Sequence, residues 1–205
     1  MERLRKWSLM PRLATLFPEH RHYVSVFGGD GTDILCKPPS RLETFNDRDR
    51  HIYNLFTVLT DDAARSELER RLCSGRPDGN GRSKNDPIAA ATAFILNIRE
   101  GLHSADLLCS KSRVDLLEDV RKRFLTVQIE NISPFTLVCN PTLRDALFFV
   151  DLPVDMPGGQ REGLLAALNS IAGRVVLLGE ANPDTGNGLS KWERRDADGL
   201  TVWLK

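Results

Sequence analysis

The sequence has few cysteines, and their spacing excludes two common kinds of small scaffold. The four lie about thirty or more residues apart: Cys36, Cys73, Cys109 and Cys139. This spacing fits neither a zinc motif nor a compact disulfide framework. We therefore expect reduced, mostly buried thiols, as in cytoplasmic proteins, and no metal site. His20 and His22 have no supporting cysteine or carboxylate pattern, so we assign them no metal role.

Net charge and long apolar runs are also lacking. The 28 Lys and Arg balance the 28 Asp and Glu, so any site for a polyanion must be a local patch. No apolar run approaches the length of about 20 residues that spans a membrane. The polar stretch from Met1 to Trp7 lacks the apolar core of a secretion signal. These absences predict a soluble cytoplasmic protein with no membrane partner.

The stretch from Tyr23 to Gly31 is the centre of the pattern that is present. Its first five residues predict a buried strand, and three glycines follow within the next four positions. A strand that runs into a glycine-rich turn and then a helix can cradle a nucleotide or cofactor, which meets bare backbone and free helix N–H groups. Glycine-rich turns also serve plain packing, and both interpretations stay open at this point.

A second strand and helix follow this turn. Arg41 to Asp47 reads as a strand that ends in a carboxylate, which is where a parallel neighbour would place an acceptor for a ribose diol. Ile52, Leu55, Phe56 and Leu59 then repeat at helical spacing. The alternation predicts a doubly wound, Rossmann-like α/β fold with its ligand at the carboxyl ends of the strands.

Residues 63–124 have a different character, because strand-like runs disappear. They predict a helical insertion into an α/β domain formed by residues 1–62 and 125–205. The insertion holds twelve Lys and Arg against nine Asp and Glu, and the excess includes Arg121, Lys122 and Arg123. Such residues could contact the phosphates of double-stranded DNA, or they could form an ordinary solvated helix face.

The α/β pattern resumes after the insertion. Residues 126–130, 145–154 and 174–178 predict strands, residues 161–171 predict a helix, and residues 191–204 predict a C-terminal β-hairpin turned at Asp198-Gly199.

The order of these parts resembles the DNA N6-adenine methyltransferases typified by bacterial DNA adenine methylase. The similarity covers most of the chain with gaps. Its pieces are Phe17-Pro-Glu-His and Tyr23 to Gly29; Asn46-Asp47 and Asn54-Leu-Phe; Asp86-Pro87, Ala93-Phe94 and Asn97; Phe124 to Asn131; Phe148-Phe-Val-Asp; Gly173-Arg-Val-Val-Leu and Trp192.

The resemblance implies S-adenosyl-L-methionine as the cofactor. Four residues match the glycine motif around its methionine moiety: Phe27, Gly28, Gly29 and Gly31. Asp47 matches the carboxylate that binds the ribose. Two departures are visible: Asp30 replaces a small residue and adds a negative charge near the cofactor carboxylate, and the Gly-Gly-Lys loop that opens the family is missing.

The catalytic turn departs from the family as well. The family's Asp-Pro-Pro-Tyr turn accepts the amino hydrogens of a flipped-out adenine and stacks on the base. Here the turn is Asp151-Leu152-Pro153-Val154, so Asp151 and Pro153 keep the matching catalytic positions while the first proline and the ring are lost.

Two functions follow as alternatives. The first is an S-adenosylmethionine-dependent DNA N6-adenine methyltransferase whose activity is weak or lost. The second is a catalytically degenerate protein of the same fold that acts as a DNA- or cofactor-binding accessory module. A nicotinamide-dependent enzyme is a third and less favoured function, because the glycine spacing does not match the dinucleotide-binding motif and no partner for hydride transfer is visible.

Overall fold

The computed structural model describes residues 10–74, 86–89, 91, 113–179, 189–197 and 200–205. The chain divides into two compact units. Unit 1 comprises Met1–Arg48 with Glu130–Lys205, and unit 2 comprises Asp49–Ile129. That residues 63–124 form an insertion with its own function stays a prediction.

The strands form one mixed sheet of seven in the order β3-β2-β1-β4-β5-β7-β6; all of them except β3, which spans the boundary between the units, lie wholly in unit 1. The strands are β1 (His22–Ser25), β2 (Leu42–Asn46), β3 (Gln128–Glu130), β4 (Leu147–Asp151), β5 (Arg174–Gly179), β6 (Glu193–Ala197) and β7 (Leu200–Leu204). Strand β1 pairs in parallel with both β2 and β4, and β4 pairs in parallel with β5. Strand β7 runs antiparallel to β5 and forms a hairpin with β6. This topology confirms the predicted Rossmann-like α/β fold with its C-terminal hairpin.

The central strands are apolar because both faces of the sheet are covered. Leu147 to Val150 of β4 are each at most 1% exposed, as a parallel strand buried on both faces requires. Val24 and Phe148 lie on one face, in the same apolar core as Leu164 and Leu168. The other face carries a cluster of three rings formed by Phe17, Tyr23 and Phe149, with centroids 5.6–6.1 Å apart.

The helices of unit 1 follow the strands in alternation. Besides residues 10–14, which are also helical, they are α1 (Thr32–Cys36), α5 (Pro134–Val138) and α6 (Gly158–Ser170), with a 3₁₀ turn at Pro141–Leu143. The end of α6 is held by Lys205, whose ammonium donates to the carbonyl oxygens of Leu168, Asn169 and Ile171 at 2.6–3.0 Å. A cation at a helix C-terminus satisfies carbonyls that have no partner within the helix.

The described part of unit 2 is mainly helical. Its helices are α2 (Arg50–Thr60), α3 (Asp62–Ser74) and α4 (Arg113–Phe124), and residues 87–89 and 91 are helical too. Phe56 and Phe124 stack with ring centroids 4.2 Å apart, which joins α2 to α4 through an apolar contact. Asp86 caps the helical residues that follow it, because its Oδ1 accepts the N–H groups of Ile88 and Ala89.

Three predictions about local structure need correction. The strand expected over residues 145–154 runs only from Leu147 to Asp151, because a turn that begins at Pro153 follows it. The helix α5 falls where no element was predicted. Among the described cysteines, Cys73 and Cys139 are exposed, so the expectation of mostly buried thiols was wrong.

The turn predicted at Asp198-Gly199 lies outside the described residues. Among the described residues, no helix is both long and apolar enough to cross a membrane.

Candidate functional site

Three neighbouring strands end at the point where the strand order reverses. Strand β1 lies between β2 and β4, and all three run in parallel. The glycine loop follows β1, Asp47 follows β2, and Asp151 is the last residue of β4. In open α/β sheets, ligands bind in the crevice outside the carboxyl ends of the strands at such a switch point. The fold therefore brings the predicted cofactor and catalytic residues of unit 1 to one edge.

The glycine loop has a shape that side chains would disturb. Gly29 and Gly31 have φ angles of +56° and +75°, in the left-handed region that favours glycine. A Cβ atom on Gly28 would lie 2.1 Å from Cε2 of Phe45. The Gly28 N–H donates to the carbonyl oxygen of Asn46 at 2.8 Å. The loop therefore packs closely against the end of β2 at Gly28.

Asp47 is tied to this loop by a direct hydrogen bond. Its Oδ2 accepts the N–H of Gly29 at 2.7 Å, and the residue is only 9% exposed. The Gly29 N–H therefore already has a carboxylate acceptor. A carboxylate can accept several hydrogen bonds at once.

Asp30 and Phe27 have contacts that the sequence pattern does not predict. The Asp30 Oδ1 accepts both the N–H of Thr32, at 3.1 Å, and its hydroxyl, at 2.5 Å. The first N–H of α1 therefore already has a carboxylate acceptor. Phe27 is half-buried and packs against the apolar core of unit 1.

The turn after β4 divides its residues between core and solvent. Asp151 is half-buried at the strand end, and Leu152 is 9% exposed within the apolar core. The Pro153 carbonyl oxygen accepts the N–H of Met156 at 3.1 Å, which closes the turn. Val154 is 73% exposed. A carboxylate thus stands at the site, with an exposed aliphatic side chain three residues later.

The three predicted phosphate-binding residues lie on α4 of unit 2 and differ in their surroundings. The Arg121 guanidinium contacts the carboxylates of Asp62 and Glu118, and its side chain is only 16% exposed. The Lys122 side chain is 65% exposed, with its ammonium 3.8 Å from Glu118. Arg123 is half-buried. Successive helical residues point about 100° apart, so the three side chains do not share one face.

The remaining residues with possible chemistry are engaged in local contacts. His20 contacts the Pro18 carbonyl oxygen and the Ser40 hydroxyl, both at 2.8 Å, and His22 contacts the Thr44 hydroxyl at 2.9 Å. Burial lowers the pKa of His22, and burial together with nearby acidic residues raises the pKa of Cys36. Among the described residues, no group of three or more acidic, histidine or cysteine side chains is placed to hold a metal ion.

Two asparagines at the same edge were not predicted as site residues. The Asn46 side chain bridges the carbonyl oxygen of Val26 and the N–H of Ile132, and the Asn131 side chain donates to the carbonyl oxygen of Asp47. The local sequence signal for these residues is that an asparagine lies at each of two strand ends. This signal does not reveal which backbone groups the two side chains contact.

Comparisons with known proteins show that the chain has a limited similarity to solved structures. The rRNA methyltransferase aviRa from Streptomyces viridochromogenes matches 98% of this chain and 83% of its own, with 16% identity and a TM-score of 0.48. A methyltransferase from Geobacter sulfurreducens matches 97% and 77%, with 14% identity and a TM-score of 0.46. No protein-family model and no curated protein matches the chain. At these values, neither the activity nor the substrate of those proteins transfers to this one.

Proposed function

We propose that this protein binds S-adenosyl-L-methionine at the carboxyl edge of its sheet and descends from DNA N6-adenine methyltransferases, with methyl transfer weak or lost. The observation that supports it best is the 2.7 Å hydrogen bond between Asp47 and Gly29 at the switch point, beside the strand that ends in Asp151. A ribose carboxylate and a glycine loop joined in this way form half of a nucleoside site.

The residues at this edge suit the cofactor. Asp47 would hold the ribose hydroxyls, and the backbone from Gly28 to Gly31 would lie against the methionine moiety. The Asp30 carboxylate accepts two hydrogen bonds from Thr32, but it would keep its negative charge near the cofactor carboxylate and so weaken binding. When bound, S-adenosylmethionine supplies an electrophilic methyl group on a sulfonium ion.

Methylation of the adenine amine requires several groups, and this chain has only some of them. The N6 lone pair of adenine is delocalised into the ring, so an acceptor for the amino hydrogens must localise it. Asp151 supplies one acceptor at the end of β4. Leu152 replaces the proline that would set the next carbonyl, and Val154 offers no ring on which the base could stack. The residues proposed to bind the cofactor are therefore better preserved than those that would bind the adenine base.

The accessory-module alternative gains support from the same turn. Leu152 is part of the apolar core, and Val154 is largely exposed. A turn in which one side chain packs in the core and another is exposed to solvent need not be catalytic. Under this alternative, the protein binds the cofactor or double-stranded DNA without turnover.

Isothermal titration with S-adenosylmethionine and S-adenosylhomocysteine tests the proposal first. We expect measurable binding by the wild type, and we expect Asp47→Ala to weaken it by about 1–3 kcal/mol through loss of charge-assisted hydrogen bonds. Asp61→Ala is a matched control, since it removes another carboxylate that caps a backbone N–H, but in unit 2. Binding that is equally insensitive to both changes would show that Asp47 does not hold the ribose.

Incorporation of labelled methyl groups into adenine-rich duplex DNA separates the two alternatives. Loss of the stacking ring alone, at about 1–3 kcal/mol, predicts transfer roughly tenfold to a hundredfold below that of an intact site. The variant that combines Leu152→Pro with Val154→Tyr should gain activity, and Asp151→Ala added to it should abolish the gain. Robust transfer by the wild type would contradict the degenerate interpretation.

A further inference from the structure

Two asparagine side chains hold the backbone around Asp47 in place. Asn46 is fully buried; its Nδ2 donates to the carbonyl oxygen of Val26 at 3.0 Å, and its Oδ1 accepts the N–H of Ile132 at 2.9 Å. The Nδ2 of Asn131 donates to the carbonyl oxygen of Asp47 at 2.6 Å. The Asp47 N–H in turn donates to the carbonyl oxygen of Glu130 at 3.2 Å.

Asp47 occupies a place where the chain needs such support. The paired residues of β2 end at Phe45 in their register with β1, and the chain leaves unit 1 after Arg48. It returns to unit 1 at Glu130. Backbone at a strand end opens easily unless other bonds hold it. The bonds from Glu130 and Asn131 supply this restraint from the returning segment, at a distance of 84 residues along the sequence for Asn131.

We propose that Asn131 is a positioning residue for Asp47, and that it acts on the glycine loop through the Asp47 carboxylate. The proposal deepens the proposed function, on which its cofactor part rests. The chain of contacts is continuous: the Asn131 amide holds the Asp47 backbone, and the Asp47 carboxylate holds the Gly29 N–H. Asn46 fastens Ile132, the next residue of the returning segment, to the end of β1.

Hydrogen exchange without any ligand tests the positioning itself. Asn131→Ala should raise deuterium uptake in the peptide that covers residues 28–31. The Asn131 amide bonds to the Asp47 backbone, and the effect reaches the glycine loop through the Asp47 carboxylate. Asn131→Asp is nearly isosteric, but a carboxylate cannot donate to the Asp47 carbonyl, so it should raise uptake at least as much. Asn140→Ala is the matched control, because it removes an asparagine that bonds Thr142 elsewhere in unit 1. Unchanged uptake at residues 28–31 in both Asn131 variants would overturn the proposal.

Cofactor titration then measures the consequence for binding. Asn131→Ala should weaken S-adenosylmethionine binding roughly fivefold, and it should cause no further loss when Asp47→Ala is already present, because coupled neighbours are not additive. Full additivity of the two changes would contradict action through Asp47. If the loop responds to Asn131→Ala but the wild type binds no S-adenosylmethionine, the positioning stands and the proposed cofactor is wrong.

Discussion

At the scale of single residues, Gly28 is the position with the least tolerance in the candidate site. Phe45 is fully buried, so its ring has no room to move away from an added methyl group 2.1 Å from its Cε2 atom. We expect Gly28→Ala to lower the free energy of unfolding by about 1–3 kcal/mol, as overpacked cores do. Urea unfolding followed by circular dichroism measures this loss.

The same substitution at Gly159 should have the opposite sign. Gly159 lies in α6, and a Cβ there meets no atom within 4 Å. Replacing a helical glycine with alanine stabilises by up to about 1 kcal/mol through lower backbone entropy in the unfolded chain. Equal losses at the two positions would show that the cost at Gly28 is not a clash with Phe45. A smaller cost of Gly28→Ala in a Phe45→Leu background would support that clash.

At the scale of elements, Asp86 joins two parts of unit 2. Its Oδ1 caps the helical residues that start at Pro87, and its Oδ2 accepts from Arg71 of α3 at 2.9 Å. Loss of an N-cap costs about 0.5–2 kcal/mol, so Asp86→Ala should destabilise the protein by that amount. Asp86→Asn keeps a good capping residue and should lose less. Asp155→Ala, which removes an exposed carboxylate of unit 1, should change stability little.

The contribution of the Asp86 charge should depend on pH. Hydrogen bonds from the Ala89 N–H and from Arg71 hold the pKa of Asp86 below its usual range. The folded state therefore binds this proton less tightly than the unfolded state, and the stabilisation is full above about pH 4 and declines as the pH falls further. The difference in stability between wild type and Asp86→Asn should shrink over that acidic range. A constant difference would mean that the charge contributes nothing beyond the cap.

The arginines of α3 and α4 show why a count of charges is a poor guide at this scale. Arg65, Arg71 and Arg121 each contact carboxylates within unit 2, and their side chains are at most 20% exposed. The local excess of three positive charges in the sequence of residues 63–124 therefore overstates what these helices offer to a phosphate. Lys122, whose side chain is 65% exposed, is better placed than Arg121 to contact a phosphate from α4.

At the scale of the whole molecule, the balanced charge means that the proposed DNA binding must depend on such local positions. We expect salt-sensitive binding of duplex DNA, and we expect Lys122→Glu to lower the affinity and to reduce the slope of log affinity against log salt by about one. Lys191→Glu is the matched control, because Lys191 is an exposed lysine of unit 1. Equal effects of the two reversals would indicate a diffuse field instead of a site on α4. Arg121→Glu should act mainly through stability, since it breaks the pair with Asp62.

The sequence by itself determined the α/β fold, the glycine loop after β1, the carboxylates after β2 and at the end of β4, and the C-terminal hairpin. These features depend on residue spacing within short windows, where apolar periodicity and glycine or proline positions are visible directly. Only the tertiary structure decided which groups meet across the chain: Asn131 with Asp47, Arg121 with Asp62, and the buried pair of Lys37 with Glu43. The first two contacts join residues 84 and 59 positions apart, and the third needs the turn between α1 and β2. Such contacts follow from how strands and helices are brought side by side, and residue spacing along one element does not encode that.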